Sequence, residues 1–252
     1  MGGYEIKFLY DKAALLLHGA GKSHLVIGDI HIGLERKLSG KGVHLYGATE
    51  HMARQIKEIV EDNSVDSVIM LGDIKESVLH PDSVEAMLVR RFFSELQGLD
   101  IAIAVGNHDS RLGELVDVPV SDEITMGDVA MLHGHIWPSE EAMGKSYIII
   151  AHNHVAVSFV DENGAIYSQK AWLVANVDKK KAAARYISFN RSIRLVVMPA
   201  FNDLILGTPV NLMDGRHINP LFRNGIFDFN GADIYAMSGA LLGTPLSLGG
   251  KA

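Results

Sequence analysis

The chain has 252 residues, a formal net charge of −7, 48% apolar and 21% charged residues, and no cysteine. That composition supplies a large buried core and excludes a largely disordered protein, disulfide stapling, thiolate nucleophiles and sulfur-ligated zinc. No apolar run reaches the ~20 residues of a membrane span, and the acidic balance leaves any polyanion to be met by a local patch or a bound metal.

The N-terminal segment MGGYEIKFLYDK lacks a basic-then-apolar leader, which points to a cytoplasmic protein. Apolar runs predict strands over Ala13–His18 and Leu25–Gly28. A helix is expected over Thr49–Glu61, capped by Thr49, with Met52, Ile56, Ile59 and Val60 on one face. A strand at Ser67–Leu71 precedes a second helix over Asp82–Leu96. Asp82 is its cap, and Val84, Met87, Leu88, Phe92 and Leu96 form its apolar face.

Strands follow at Ile101–Val105, Val129–His133 and Tyr147–Ala151, an alternation typical of an α/β domain with parallel or mixed sheets. Past residue 150 the strands Val155–Val160, Ala171–Ala175, Ala184–Phe189 and Ile193–Met198 have few helices between them. That suggests an antiparallel portion or a second sheet. Ser238–Ala252 is Gly-rich and reads as a loose tail. No linker is visible, so residues 1–252 read as one domain, with 155–237 completing the second sheet.

The informative pattern is where polar residues fall. Leu25–Gly28 runs into Asp29-Ile30-His31, and Val68–Leu71 into Gly72-Asp73. Ile101–Val105 runs into Gly106-Asn107-His108-Asp109, Val129–Leu132 into His133-Gly134-His135, and Tyr147–Ala151 into His152-Asn153-His154. Ligands of open α/β sheets bind at the carboxyl ends of strands. Carboxylates and imidazoles gathered there need a cation, and these donors suit Mn, Fe, Zn, Ni or Co. Three or four carboxylate and amide oxygens beside four or five imidazoles exceed one tetrahedral ion, whereas two ions sharing a carboxylate use them naturally.

These ordered motifs resemble the calcineurin-like metallophosphoesterase superfamily, within it the archaeal Mre11/SbcD-related and DNA-ligase-associated phosphoesterases. Asp29-Ile30-His31-Ile32-Gly33-Leu34-Glu35 and Met198-Pro199-Ala200-Phe201-Asn202 add to the likeness. The resemblance implies a four-layer α-β-β-α sandwich of two mixed sheets flanked by helices, with metals at the strand C-terminal ends. It implies two divalent ions, manganese first. Asp29, His31 and His154 hold one ion, Asn107, His133 and His152 the other, and Asp73 bridges them. His108 is then the general acid, oriented by Asp109. Two such cations would supply an activated hydroxide as the nucleophile at neutral pH. Two departures bear on loop geometry: Ala151 stands where the family has Gly, and Val155 where Pro is common. Ile74, Lys75 and Glu76 do not supply the second Asp of many phosphatases of this fold.

His18, His24, His44, His51, His80 and His217 are expected to be ordinary core or surface residues, and Trp137 and Trp172 packing residues. His135 could face substrate. Lys170, Lys179, Lys180, Lys181, Arg185, Arg191 and Arg194 form a basic cluster able to meet a phosphate backbone. Aromatics are not interleaved with them as a stacking groove would want, which favours a lysine-guarded strand edge instead. The expected activity is phosphodiester hydrolysis on nucleotides or nucleic-acid ends. The alternatives are a phosphomonoesterase of small metabolites and a non-catalytic metal-stabilised scaffold, the latter disfavoured because ligands and general acid are all present.

Overall fold

Alternate residues of a strand face opposite sides, and this period sorts the apolar runs into three buried layers. The computed structural model describes residues 3–42, 47–215 and 219–249. The first sheet is ordered β1 (Glu5–Leu9), β2 (Ala14–Gly19), β3 (Lys22–Gly28), β4 (Ser67–Leu71), β5 (Asp100–Ala104), β6 (Val120–Ser121). Between β3 and β4 lie α1 (Leu34–Ser39) and α2 (Ala48–Asp62), and α3 (Ser83–Glu95) precedes β5. The second sheet contains β7 (Glu123–Met126), β8 (Val129–Leu132), β9 (Tyr147–Ile150), β10 (Val155–Val160), β11 (Ile166–Asn176) and β12 (Arg194–Val197). It is extended by β13 (Thr208–Pro209), β14 (Asp233–Ala236) and β15 (Leu241–Gly243). The helices α4 (Glu140–Met143), α5 (Lys179–Arg185), α6 (Pro220–Arg223) and α7 (Pro245–Gly249) belong to this half.

One layer, between the sheets, joins Leu15, Val26, Ile69 and Leu71 to Met131, Ile149, Trp172 and Val196. A second packs Leu25, Ile27, Val68 and Met70 under Met52 and Ile56 of α2 and Val89 and Phe92 of α3. The third packs Leu132, Ile148, Leu173 and Leu195 under Met143 of α4, Ala182 of α5 and Phe222 of α6. Two mixed sheets are thus flanked by helices on their outer faces. Among the described residues, no helix is long and apolar enough to cross a membrane.

Four local expectations need correcting. Thr49 does not cap α2: Gly47 does, at φ 76°, and the Thr49 hydroxyl is spent on buried Glu35 at 2.7 Å. Asp82 does cap α3, accepting from the Val84 and Glu85 amides, but the buried face of that helix is Glu85, Ala86, Val89 and Phe92. Val84 and Met87 are exposed because Glu85 turns inward to accept from the Ser77 amide at 2.8 Å.

The strand expected at Ala184–Phe189 begins inside α5. Asp178 caps this helix by accepting from the Lys180 and Lys181 amides, and the run of Lys and Ala favours it. The Gly-rich segment after Ser238 forms β15 and α7 up to Gly249. β15 pairs with β14, and Thr244 and Ser247 bond reciprocally at the start of α7. Residues 250–252 of that segment lie outside the described residues.

Candidate metal centre

The candidate ligands and His108 sit one to four residues past the strand ends. In the first sheet Gly28 pairs with Leu71, and Leu71 with Ala104. That register brings the turns at 29–31, 72–73 and 106–109 to one level. Leu132 pairs with Ile150 in the second sheet, which aligns His133 with His152 and His154. Two glycines permit the crowding: a Cβ on Gly72 would stand 2.6 Å from Gly106 and from His133 Nδ1, and one on Gly106 2.3 Å from Asp73 N and Oδ1.

The backbone here is strained. Asp29, His31, Asp73, His152 and His154 have φ of 56°, 47°, 50°, 68° and 43°. Left-handed φ in non-glycine residues costs about 1–3 kcal/mol each and survives only where surroundings impose it. The imposition is visible: His31 N donates to Asp73 O at 2.8 Å, and buried Asn202 donates through Nδ2 to Ile30 O at 2.7 Å. Gly207 leaves room for the His154 carbonyl, which a Cβ there would meet at 1.9 Å.

Among the described residues three groups of side chains could hold an ion, His31, Glu76 and His108 being one, and the other two share Asp73. Asp29, His31, Asp73 and His154 offer donor atoms all within 4.8 Å of one another, and so do Asp73, His133 and His152. Asp73 belongs to both. His31 Nε2 lies 3.2 Å from His154 Nε2 and 3.5 Å from Asp73 Oδ2, while His154 Nε2 lies 3.4 Å from Asp29 Oδ1. In the second set His133 Nε2 is 3.3 Å from Asp73 Oδ1, 3.0 Å from His152 Nδ1 and 3.2 Å from Asn107 Oδ1. Asn107 therefore joins that set.

Two observations show that a cation fits. His31 Nδ1 is taken by Glu76 Oε2 at 2.9 Å and His133 Nδ1 by the Leu71 carbonyl at 2.8 Å. Both rings therefore aim Nε2 at the cluster, the arrangement of metal-bound histidines braced from behind. Asp29 is fully buried, and its Oδ2 has no hydrogen-bond partner. Buried carboxylate oxygens need partners, and the nitrogen and oxygen donors around this one suit a divalent metal.

The charges of the metal-free site say how loading depends on pH. Burial alone would lower His133, but its bond to Asp73 and the charges of Asp29 and Asp73 push it up to about 9. Burial and the His133 charge press His152 down to about 4. A metal needs neutral His133, so loading near neutrality must expel that proton. Apparent affinity is expected to weaken about tenfold per unit as pH falls below about 9. Proton release on adding Mn to stripped protein in weak buffer measures this. A raised folded value also stabilises the metal-free protein below the ordinary histidine range, and that contribution is lost as pH rises through about 9.

His108 stands outside both Asp73-centred sets, although it groups with His31 and Glu76. Its Nδ1 donates to the Glu76 carbonyl at 2.6 Å, its Nε2 lies 3.9 Å from Asp73 Oδ2, and 21% of its side chain is exposed. A ring near the cluster yet open to solvent can pass a proton. Asp109 does not orient it. The buried Asp109 carboxylate accepts from the Ile74 and Gly106 amides, both at 2.8 Å, so it braces the loop rather than the imidazole.

Sequence reasoning missed Glu76 and Lys75. Burial opposes ionisation of Glu76, but His31 and Lys37 hold it down at about 2. The signal was an acid three residues after Asp73. Glu76→Gln is expected to weaken metal binding at the His31 set by 10–100-fold, about the usual cost of losing such a brace, as read by chelator competition. Lys75 is wholly buried, its ammonium on the carbonyls of Ser77, Leu79 and His108.

The remaining candidates divide. Ala151 fits without positive φ because Gly28 faces it; a Cβ on Gly28 would meet Ala151 Cβ at 2.6 Å. Val155 opens β10 opposite Thr208. His135 is in neither ligand set, although its ring lies 5.3 Å from that of His133. His24 is buried against Ser67, His51 and His80 are exposed, and His18 is half-buried. His44 and His217 lie outside the described residues. Trp172 is buried between the sheets, and Trp137 packs against the second-sheet core.

The basic cluster does not form one phosphate-binding face. Lys170 is consumed by the Ala200 and Asn202 carbonyls at 2.8 and 2.9 Å and by Asp203 at 3.0 Å. Arg185 lies over Trp137, 3.5 Å from the ring centre. Lys179, Lys180 and Lys181 sit on α5, over the outer face of the second sheet, and Arg191 precedes β12. Arg194 starts β12, which runs parallel to β9, and so occupies the end opposite the metal ligands.

A solved structure described as Pseudomonas putida nuclease MPE aligns at TM-score 0.57 and 17% identity, covering 96% of this chain and 100% of that one. Yfce, a phosphoesterase from E. coli, aligns at TM-score 0.39 and 14% identity over 87% of this chain and 96% of its own. No match is found among curated protein sequences. The family model described as calcineurin-like phosphoesterase matches residues 24–197, a span that contains both donor sets and His108. With that span and that fold, the chain belongs to the calcineurin-like phosphoesterase family and is a metal-dependent hydrolase.

Proposed function

We propose that the protein is a dinuclear phosphodiesterase acting on nucleotides or nucleic-acid ends, with manganese as the first metal to try. The observation that carries this reading is Asp73, whose two oxygens face two separate donor sets. Asp29, His31 and His154 would hold one ion, and Asn107, His133 and His152 the other. When bound, the ions neutralise charge on the phosphoryl oxygens and activate water for attack at phosphorus. His108 would protonate the leaving oxygen from the solvent edge, its ring oriented by the Glu76 carbonyl. Asp109 would act by holding the loop from Gly106 to His108. Donors come from both sheets, which supports reading the chain as one catalytic unit. The solved neighbour described as a nuclease supports including DNA among the substrates tested.

The test strips the protein of metal and reloads it separately with Mn, Ni, Zn and Mg. Each form is offered bis-p-nitrophenyl phosphate, p-nitrophenyl phosphate and single-stranded DNA. Diester turnover above monoester turnover, dependent on metal, is the expected result. Faster monoester turnover with every metal sinks the diester reading in favour of a small-metabolite phosphomonoesterase.

A further inference from the structure

Among the largest fully buried side chains, Lys75 alone carries a charge. Such burial is costly unless the charge is paired and its donors are satisfied. No carboxylate lies within ion-pair distance of it among the described residues. Glu85, which could have served, is engaged by the amide and hydroxyl of Ser77. The ammonium instead spends its three donors on three backbone carbonyls: Ser77 and Leu79 on one loop, His108 on the other. For packing alone, an apolar residue of similar length would avoid the desolvation cost.

The two loops it joins meet at the proton donor. The His108 ring hangs from the carbonyl of Glu76, which lies in the 75–79 loop, while its backbone belongs to the 106–109 loop. Ring position therefore depends on how these loops sit against each other. Asp73 has anchors outside these two loops, since its carbonyl accepts from His31 N and its carboxylate lies 3.3 Å from His133 Nε2.

We propose that Lys75 is a positioning residue for proton donation, clamping the loop of His108 to the loop whose carbonyl orients the His108 ring. This rests on the reading of His108 as the acid. Loosening the clamp lets the imidazole drift from the leaving oxygen without emptying the metal sites. The loss falls on substrates whose leaving group needs a proton.

The experiment compares metal-loaded wild type, Lys75→Met, His108→Ala and the double variant. Substrates are a series of aryl methyl phosphates from p-nitrophenol to phenol as leaving group, with metal content measured in each protein. Lys75→Met is expected to lose about 10–100-fold in kcat on the phenol ester, at or below the low end of what a general acid itself contributes, and about threefold or less on the p-nitrophenyl ester, with unchanged metal content. Added to His108→Ala, it should cost almost nothing more, because it acts through that ring. Equal losses on all esters, additivity with His108→Ala, or lost metal overturn the clamp alone. If His108→Ala itself shows no dependence on leaving group, the acid reading fails and the clamp with it. Should Lys75→Met not fold, nitrogen-15 NMR of the wild-type lysine ammonium groups decides. A slowly exchanging ammonium assigned to Lys75 is expected, and rapid exchange of that group overturns the proposal.

Discussion

Asparagine at position 73 is expected to lower phosphoester turnover by about 10³-fold or more, exceeding the usual loss of one preorganised oxyanion donor. The protein should still fold. An Asn side chain keeps one oxygen for the His108 amide, now accepted by Asp73 Oδ1 at 2.9 Å. It puts an NH₂, which cannot ligate, where the second oxygen faces the other donor set. It also removes the charge that, with Asp29, keeps His133 protonated up to about 9. Metal analysis of the purified variant should find one ion or fewer per chain, and loading should lose much of its pH dependence. Two full equivalents of metal with wild-type kcat would show that Asp73 is not shared.

The second large effect is steric. Gly106→Ala would place a Cβ 2.3 Å from both the Asp73 amide nitrogen and its Oδ1. Neither can yield easily, because the amide is backbone and the carboxylate is held by His108 N and His133. Overpacking of this kind costs about 1–3 kcal/mol, sometimes more. In a chain this size that lowers Tm by about 2–12 °C, and the displaced Asp73 should lose metal as well. Gly113→Ala is the control. That glycine has nothing within 4 Å of a built Cβ, so thermal unfolding of the variant should match wild type. A Gly106→Ala protein with unchanged Tm and metal content would mean the loops are looser than drawn.

Much of the candidate centre is legible because several apolar runs stop at or just before a candidate ligand. Ser67–Leu71 and Val155–Val160 are strands with the expected bounds, and Asp29, Asp73 and His133 follow their strands directly or after one glycine. The division between ions is what the family likeness implies; the geometry places Asp29, His31 and His154 in one group with Asp73, and His133 and His152 in another. The failures have local causes. The face of α3 was misassigned because Glu85, a polar residue, is drawn inward by Ser77, which no periodicity reveals. Lys170 looked available for phosphate because its three carbonyl and carboxylate partners lie 30–33 residues away. Asp109 looked like a partner for its neighbour His108, yet its carboxylate reaches back to Gly106 and across to Ile74. Glu76 leaves only the faint signal of an acid three residues after Asp73, and Lys75 none, because their importance depends on what the fold brings against them.

The left-handed backbone at Asp29, His31, Asp73, His152 and His154 sets activity against robustness. Glycine would relax each of those φ angles and abolish a ligand at the same stroke. Selection for thermal endurance alone, in a laboratory population freed from any need to turn over substrate, should therefore erode these positions toward glycine or asparagine before it touches the sheets. Their persistence in a natural lineage would report continued use of the centre, independently of knowing what it cleaves.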